Sequence, residues 1–106
     1  MNKAKELLNR SYKSIVNRGL INDLTKDEDF YIKILEESKE FYEAIRFNDD
    51  ISKIEEVTDL MNVCINYLIF RGSDPLEELE KVIIKNENRV KNKSNEKRAG
   101  TNSIIN

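Results

Sequence analysis

Five carboxylates in two short runs, Glu36-Glu37-x-x-Glu40 and Glu56-x-x-Asp59, are the residues whose types and spacing could do chemistry. Both runs read as helical. On a helix each residue advances by about 100°, so Glu37 and Glu40 project within roughly 60° of one another, as do Glu56 and Asp59. Two such faces brought together aim four carboxylates at one point. Left bare, those charges repel and raise one another's pKa values, and a hard divalent cation removes the conflict. Mg²⁺ takes oxygen ligands, keeps several waters and bridges protein carboxylates to phosphates, so this set points toward phosphate chemistry, with Mn²⁺ able to replace it.

The remaining composition narrows the alternatives. The chain has no His, which removes His-ligated zinc, Ser-His nucleophile activation and the Glu-x-x-His di-iron site. Any metal must therefore be held by oxygen. The single Cys64 cannot form an internal disulfide; in its apolar run it is expected to be a buried, inert thiol, in keeping with a reducing, cytoplasmic setting. The N-terminus lacks an apolar signal core, and Asn62 and Asn66 interrupt the longest apolar stretch, so a soluble protein without a membrane span is expected. Net charge is −2, but Lys91, Lys93, Lys97 and Arg98 against Glu96 give the last sixteen residues +3 and leave −5 for the rest. That balance implies no basic nucleic-acid surface on the core.

Helices are the elements that must position the acids. With 36% charged residues, one Pro, three Gly and no Trp in 106 residues, the expected fold is all-α: one four-helix bundle-like domain over residues 1–92 and a polar, mobile tail over 93–106. A first helix runs from about Lys3 to Arg18, where Gly19 supplies a stop. A second opens on the capping-box sequence Thr25-Lys26-Asp27-Glu28 and runs to about Phe47, its apolar stripe being Phe30, Ile34, Phe41 and Ile45, with Glu37 at the border. A third spans about Asp50 to Arg71. Between Leu60 and Phe70 its only polar residues are Asn62 and Asn66. A helix so apolar must be covered on several sides, which a domain of this size does only as a homo-oligomer, a dimer or a tetramer.

The fourth helix starts at Asp74-Pro75, with Glu77 closing a second capping box, and carries Lys81, Lys85 and Arg89 in one row. Such a row suits an anionic ligand, and equally a solvated face paired with Glu77 and Glu78. Asp59, Asn62 and Asn66 form a polar strip on the third helix, within about 60° on the wheel. The strip either lines a ligand cleft or satisfies itself and nearby backbone inside the oligomer.

Glu-Glu-x-x-Glu, a fifteen-residue spacer and Glu-x-x-Asp together resemble the signature of the MazG-like, all-α nucleoside triphosphate pyrophosphohydrolases. Lys33 before the first acids, the apolar run after Asp59, the Arg71-Gly72 helix end, and Lys85 and Arg89 agree with it, over roughly residues 30–90. The resemblance implies an oligomeric, Mg²⁺-dependent enzyme that cleaves a nucleoside triphosphate between its α and β phosphates, releasing a nucleoside monophosphate and pyrophosphate. By position it makes Glu37, Glu40, Glu56 and Asp59 metal ligands, and Glu36 the acid that orients or deprotonates the attacking water. Lys33, Lys85 and Arg89 would hold the triphosphate, with Asn62 lining the substrate pocket. The nucleobase is left open.

Two other classes predict different behaviour. A nucleotide sensor of the same fold binds without turnover, and a purely structural helical module gives no metal response at all. Two acids, Glu56 and Asp59, on the helix expected to be most buried count against the module, because unpaired buried charge is costly.

Overall fold

A computed structural model describes residues 2–93, and among them every regular element is a helix: α1 (Lys3–Asn17), α2 (Asp27–Arg46), α3 (Asp50–Phe70) and α4 (Pro75–Lys93). The all-α expectation holds, with boundaries within a residue or two of those read from the sequence. Beyond its first residue, the tail expected over 93–106 lies outside the described residues. No helix among those described is long and apolar enough to cross a membrane.

Residues up to Ser73 form one compact unit and those from Asp74 a second, so α1–α3 and α4 are separate bodies. Within the first unit α3 packs against both α2 and α1. Three helix ends are built alike. At the end of α1, Gly19 (φ 75°) donates to the Val16 carbonyl and Leu20 to that of Ile15. Gly72 (φ 80°) and Ser73 repeat the pattern after α3, and Asn48 (φ 53°) and Asp49 repeat it after α2. This is the left-handed helix stop that Gly adopts freely and Asn tolerates. Asp49 then caps α3, its carboxylate accepting from the Ser52 backbone N–H at 3.3 Å and from the Ser52 hydroxyl at 2.8 Å.

The start of α2 is shifted by one residue from the expected box. Lys26 is the N-cap, and the Asp29 carboxylate accepts its backbone N–H at 2.8 Å. Thr25 instead closes the preceding turn, its hydroxyl oxygen accepting from Asn22 N–H at 3.0 Å. Lys has no side-chain acceptor, so half of a capping box remains: the carboxylate reaching back to the cap. Asp74 caps α4 as expected, accepting from Leu76 N–H at 3.0 Å.

Only three residues, Phe47-Asn48-Asp49, separate α2 from α3, so the two helices form an antiparallel hairpin. Its far end is tied by aromatic contacts, Phe30 lying 5.3 Å from Tyr67 and 4.9 Å from Phe70 between ring centroids. Among the described residues Phe30 and Ala44 are the buried apolar ones, and Glu37 and Asn66 the buried polar ones. A side of α3 is left uncovered: Ile54 is 67% and Met61 55% exposed. Cys64, expected to be buried, is exposed for the same reason. Partial desolvation nevertheless pushes its pKa up, which disfavours the reactive thiolate.

Candidate metal centre and adjoining cleft

The hairpin sets the register of the acids. Counted from Asn48 in the turn, Glu40 and Glu56 each lie eight residues away, and Glu37 and Asp59 each lie eleven. Equal distances along two antiparallel helices bring each pair to the same level. The 3.6-residue repeat keeps residues three apart on one face, so both levels point to one side. Carboxylate oxygens of Glu37, Glu56 and Asp59 all lie within 4.8 Å of one another. Glu37 is buried, Glu56 half-buried and Asp59 exposed, so the group opens from the interior of the hairpin to its surface.

Its acids outnumber the cations paired with them. Burial, then the charges of Glu40, Asp59 and Glu37 and a hydrogen bond with Glu40, raise the pKa of Glu56 above 4.5. That shift places Glu40 beside the trio, through Glu56, although Glu40 is not one of the three mutually close carboxylates. Lys33 supplies a counter-charge. Its Nζ lies 3.3 Å from Glu37 Oε2 and 3.6 Å from Glu36 Oε1, and the bond to Glu37 raises the lysine's pKa above 10.5. Glu36 is exposed on this flank, one residue round the helix from the trio. Lys33, expected to hold an anion, is thus engaged with the acids themselves.

Beside the trio opens a cleft of about 540 Å³. Glu37, Asp59, Asp29, Lys33, Asn62 and Asn66 line it, with Arg18 and Ile21 contributed by the end of α1 and the segment after it. Ser11 on α1 joins the two amides: its hydroxyl donates to Asn62 Oδ1 at 2.7 Å, and Asn66 Nδ2 donates to the Ser11 oxygen at 3.3 Å. Asn66 is 4% exposed, and its Oδ1 has no hydrogen-bond partner among the described residues.

The polar strip of α3 therefore lines a cleft within one chain. Of the residues expected at the site, the first unit brings together Glu37, Glu56 and Asp59, with Glu40 and Lys33 adjoining, Glu36 outside and Asn62 in the cleft. Lys85 and Arg89 lie on α4, in the separate second unit. Arg18 and Ser11 were not singled out in the sequence. The signal for Arg18 was present, since a helix stopped by Gly19 leaves the preceding side chain at its end; Ser11 carries no comparable mark.

The donor set fits a hard divalent cation: three carboxylates of mutual reach, one buried, and a raised Glu56 pKa that a positive ion would relieve. No protein-family model, curated protein or solved structure matches this chain.

Proposed function

We propose that the chain is a Mg²⁺-dependent nucleoside triphosphate pyrophosphohydrolase of the MazG-like kind, working as a homo-oligomer. The observation that carries this reading is the convergence of Glu37, Glu56 and Asp59 at a cleft that also holds Arg18 and Lys33. Carboxylates alone repel a triphosphate. Carboxylates that take up a divalent ion, with cations nearby, accept one. Bound Mg²⁺ would neutralise phosphate oxygens and lower the pKa of a water.

The chain's own residues supply the rest. Glu37, Glu56 and Asp59 would hold the ion, with Glu40 completing the set from beside Glu56. Glu36, on the Lys33 flank, takes the proton of the attacking water. The water oxygen bonds to the α-phosphorus as the bond to the α–β bridging oxygen breaks, and pyrophosphate leaves with that electron pair. Lys33 exchanges its carboxylate partners for phosphate oxygens, and with Arg18 it stabilises charge developing on the leaving group. The uncovered apolar side of α3 supports the oligomer, since isoleucines and methionine left in water favour association with a second copy.

The test is pyrophosphate release from a panel of ribo- and deoxyribonucleoside triphosphates, with and without Mg²⁺, for the native chain beside Glu56→Gln. Metal-dependent turnover that the variant loses is the expected result. Binding of one nucleotide without turnover would make the chain a sensor, and no response to metal or nucleotide would leave a helical module.

A further inference from the structure

One atom in the cleft has no role in metal binding or hydrolysis. Asn66 Oδ1 is a buried carbonyl oxygen without a hydrogen-bond partner among the described residues, on a residue that lines the cleft. Buried acceptors are nearly always paired, and an exception calls for a physical reason. The neighbouring bonds define which group of Asn66 is left over. Asn66 Nδ2 gives a hydrogen to Ser11, and Ser11 gives its only hydrogen to Asn62 Oδ1. The chain of bonds runs one way, from Asn66 through Ser11 to Asn62. The Asn66 amide therefore has a carbonyl to offer, on a residue that lines the cleft.

Position indicates what would meet it. Asn66 lies seven residues beyond Asp59 on α3, about 10 Å along the axis at 1.5 Å per residue. A ligand with its phosphates at the carboxylates extends its nucleoside toward this amide. On the premise that the cleft takes a nucleoside triphosphate, we propose that Asn66 is its specificity-determining residue. Its carbonyl accepts a hydrogen bond from a donor at the nucleoside end of the ligand, and Ser11 is the positioning residue that holds the amide in that orientation. A site built around an acceptor rejects ligands lacking the donor more strongly than an apolar pocket does, because rejection leaves the acceptor unpaired. The donor is a base N–H or a sugar O–H, and both present the same chemistry to the oxygen.

The experiment is equilibrium binding, with Mg²⁺, of non-hydrolysable α,β-methylene nucleoside triphosphates to the native chain, Asn66→Leu and Ser11→Ala. The nucleotide that binds best is compared with its N-methylated base, with its deoxy sugar and with methylene-linked tripolyphosphate, which has neither. Loss of the donor should weaken native binding about 10- to 100-fold. Sensitivity to N-methylation assigns the base, and sensitivity to the deoxy sugar assigns the hydroxyl. Asn66→Leu should bind all forms at the weaker level with tripolyphosphate unaffected, and Ser11→Ala, at a half-buried position, should lose most of the discrimination while keeping the fold if the leucine variant does not. Equal native binding of all forms, or discrimination that survives in either variant, overturns the proposal. Turnover of ordinary triphosphates without discrimination overturns it and spares the hydrolase. Discrimination without turnover does the reverse, and failure to bind any nucleotide overturns both.

Discussion

Removing one carboxylate from the trio should reverse its effect on stability when Mg²⁺ is added. Glu36, Glu37, Glu40, Glu56 and Asp59 bring five negative charges and Lys33 one positive, leaving four negative, which a divalent ion halves. Without metal, Asp59→Asn deletes a charge held within 4.8 Å of two others, and its melting temperature should exceed that of the native chain. With Mg²⁺ the order inverts. Free ion at a hundred times its Kd stabilises the folded state by about 2.7 kcal/mol. For a unit of this size each kcal/mol moves the midpoint by roughly 4–8 °C, giving a native shift of roughly 11–22 °C.

Loss of one of three oxygens should weaken the site by at least the roughly 10- to 100-fold seen when a ligand's supporting group is lost. At the hundredfold end the same Mg²⁺ concentration equals the variant's Kd, leaving about 0.4 kcal/mol, or roughly 2–3 °C. Differential scanning fluorimetry of both chains in EDTA and across a Mg²⁺ titration reads this directly, with NaCl at matched ionic strength as the control for screening. Acid gives an independent check. Glu56 has its pKa raised above 4.5, so the folded chain holds that proton more tightly than the unfolded one; its contribution is present below pH 4.5 and lost as pH rises through the raised value. In EDTA the native chain should lose stability over that window, and excess Mg²⁺ should flatten the loss. Melting curves whose order is the same in EDTA and in Mg²⁺, or a shift that NaCl reproduces, would refute the metal centre.

Lys33→Met removes the cation that occupies Glu37, so Mg²⁺ should bind the empty site more tightly while nucleoside triphosphates bind less well, as isothermal titration calorimetry of each would show. Because the Lys33 pKa is raised, the stability from its ion pairs is complete below pH 10.5 and lost as pH climbs through the folded value; alkaline melting curves of the variant should lack that step. On the uncovered side of α3, Ile54→Asp combined with Met61→Asp should give a single-chain mass in sedimentation equilibrium where the native chain gives a multiple, and a native monomer would remove the oligomer.

What was legible in the sequence is what local chemistry decides. Gly19 and Gly72 mark helix ends because left-handed backbone is cheap for them, and Asp74-Pro75 marks a start because it satisfies orphan N–H groups and needs none in return. The start of α2 was misjudged by one residue because Thr25 found a partner in the preceding turn, where Asn22 competes for its oxygen. The pairing of the acids was legible in principle: eight and eleven residues on either side of Asn48 is a symmetry that any tight hairpin turns into proximity. The Ser11 bridge was not, since it joins residues 51 and 55 positions apart through the packing of α1 on α3, which no local pattern encodes. Cys64 failed for a related reason: an apolar run tells that a surface should be covered, but within the first unit α1 and α2 leave part of α3 exposed. The same shortage gives the site its character. With Phe30 and Ala44 as the buried apolar residues, Glu37 and Asn66 are as enclosed as the core itself, so the two side chains least suited to an oily interior sit where a metal ion and a ligand's donor would satisfy them.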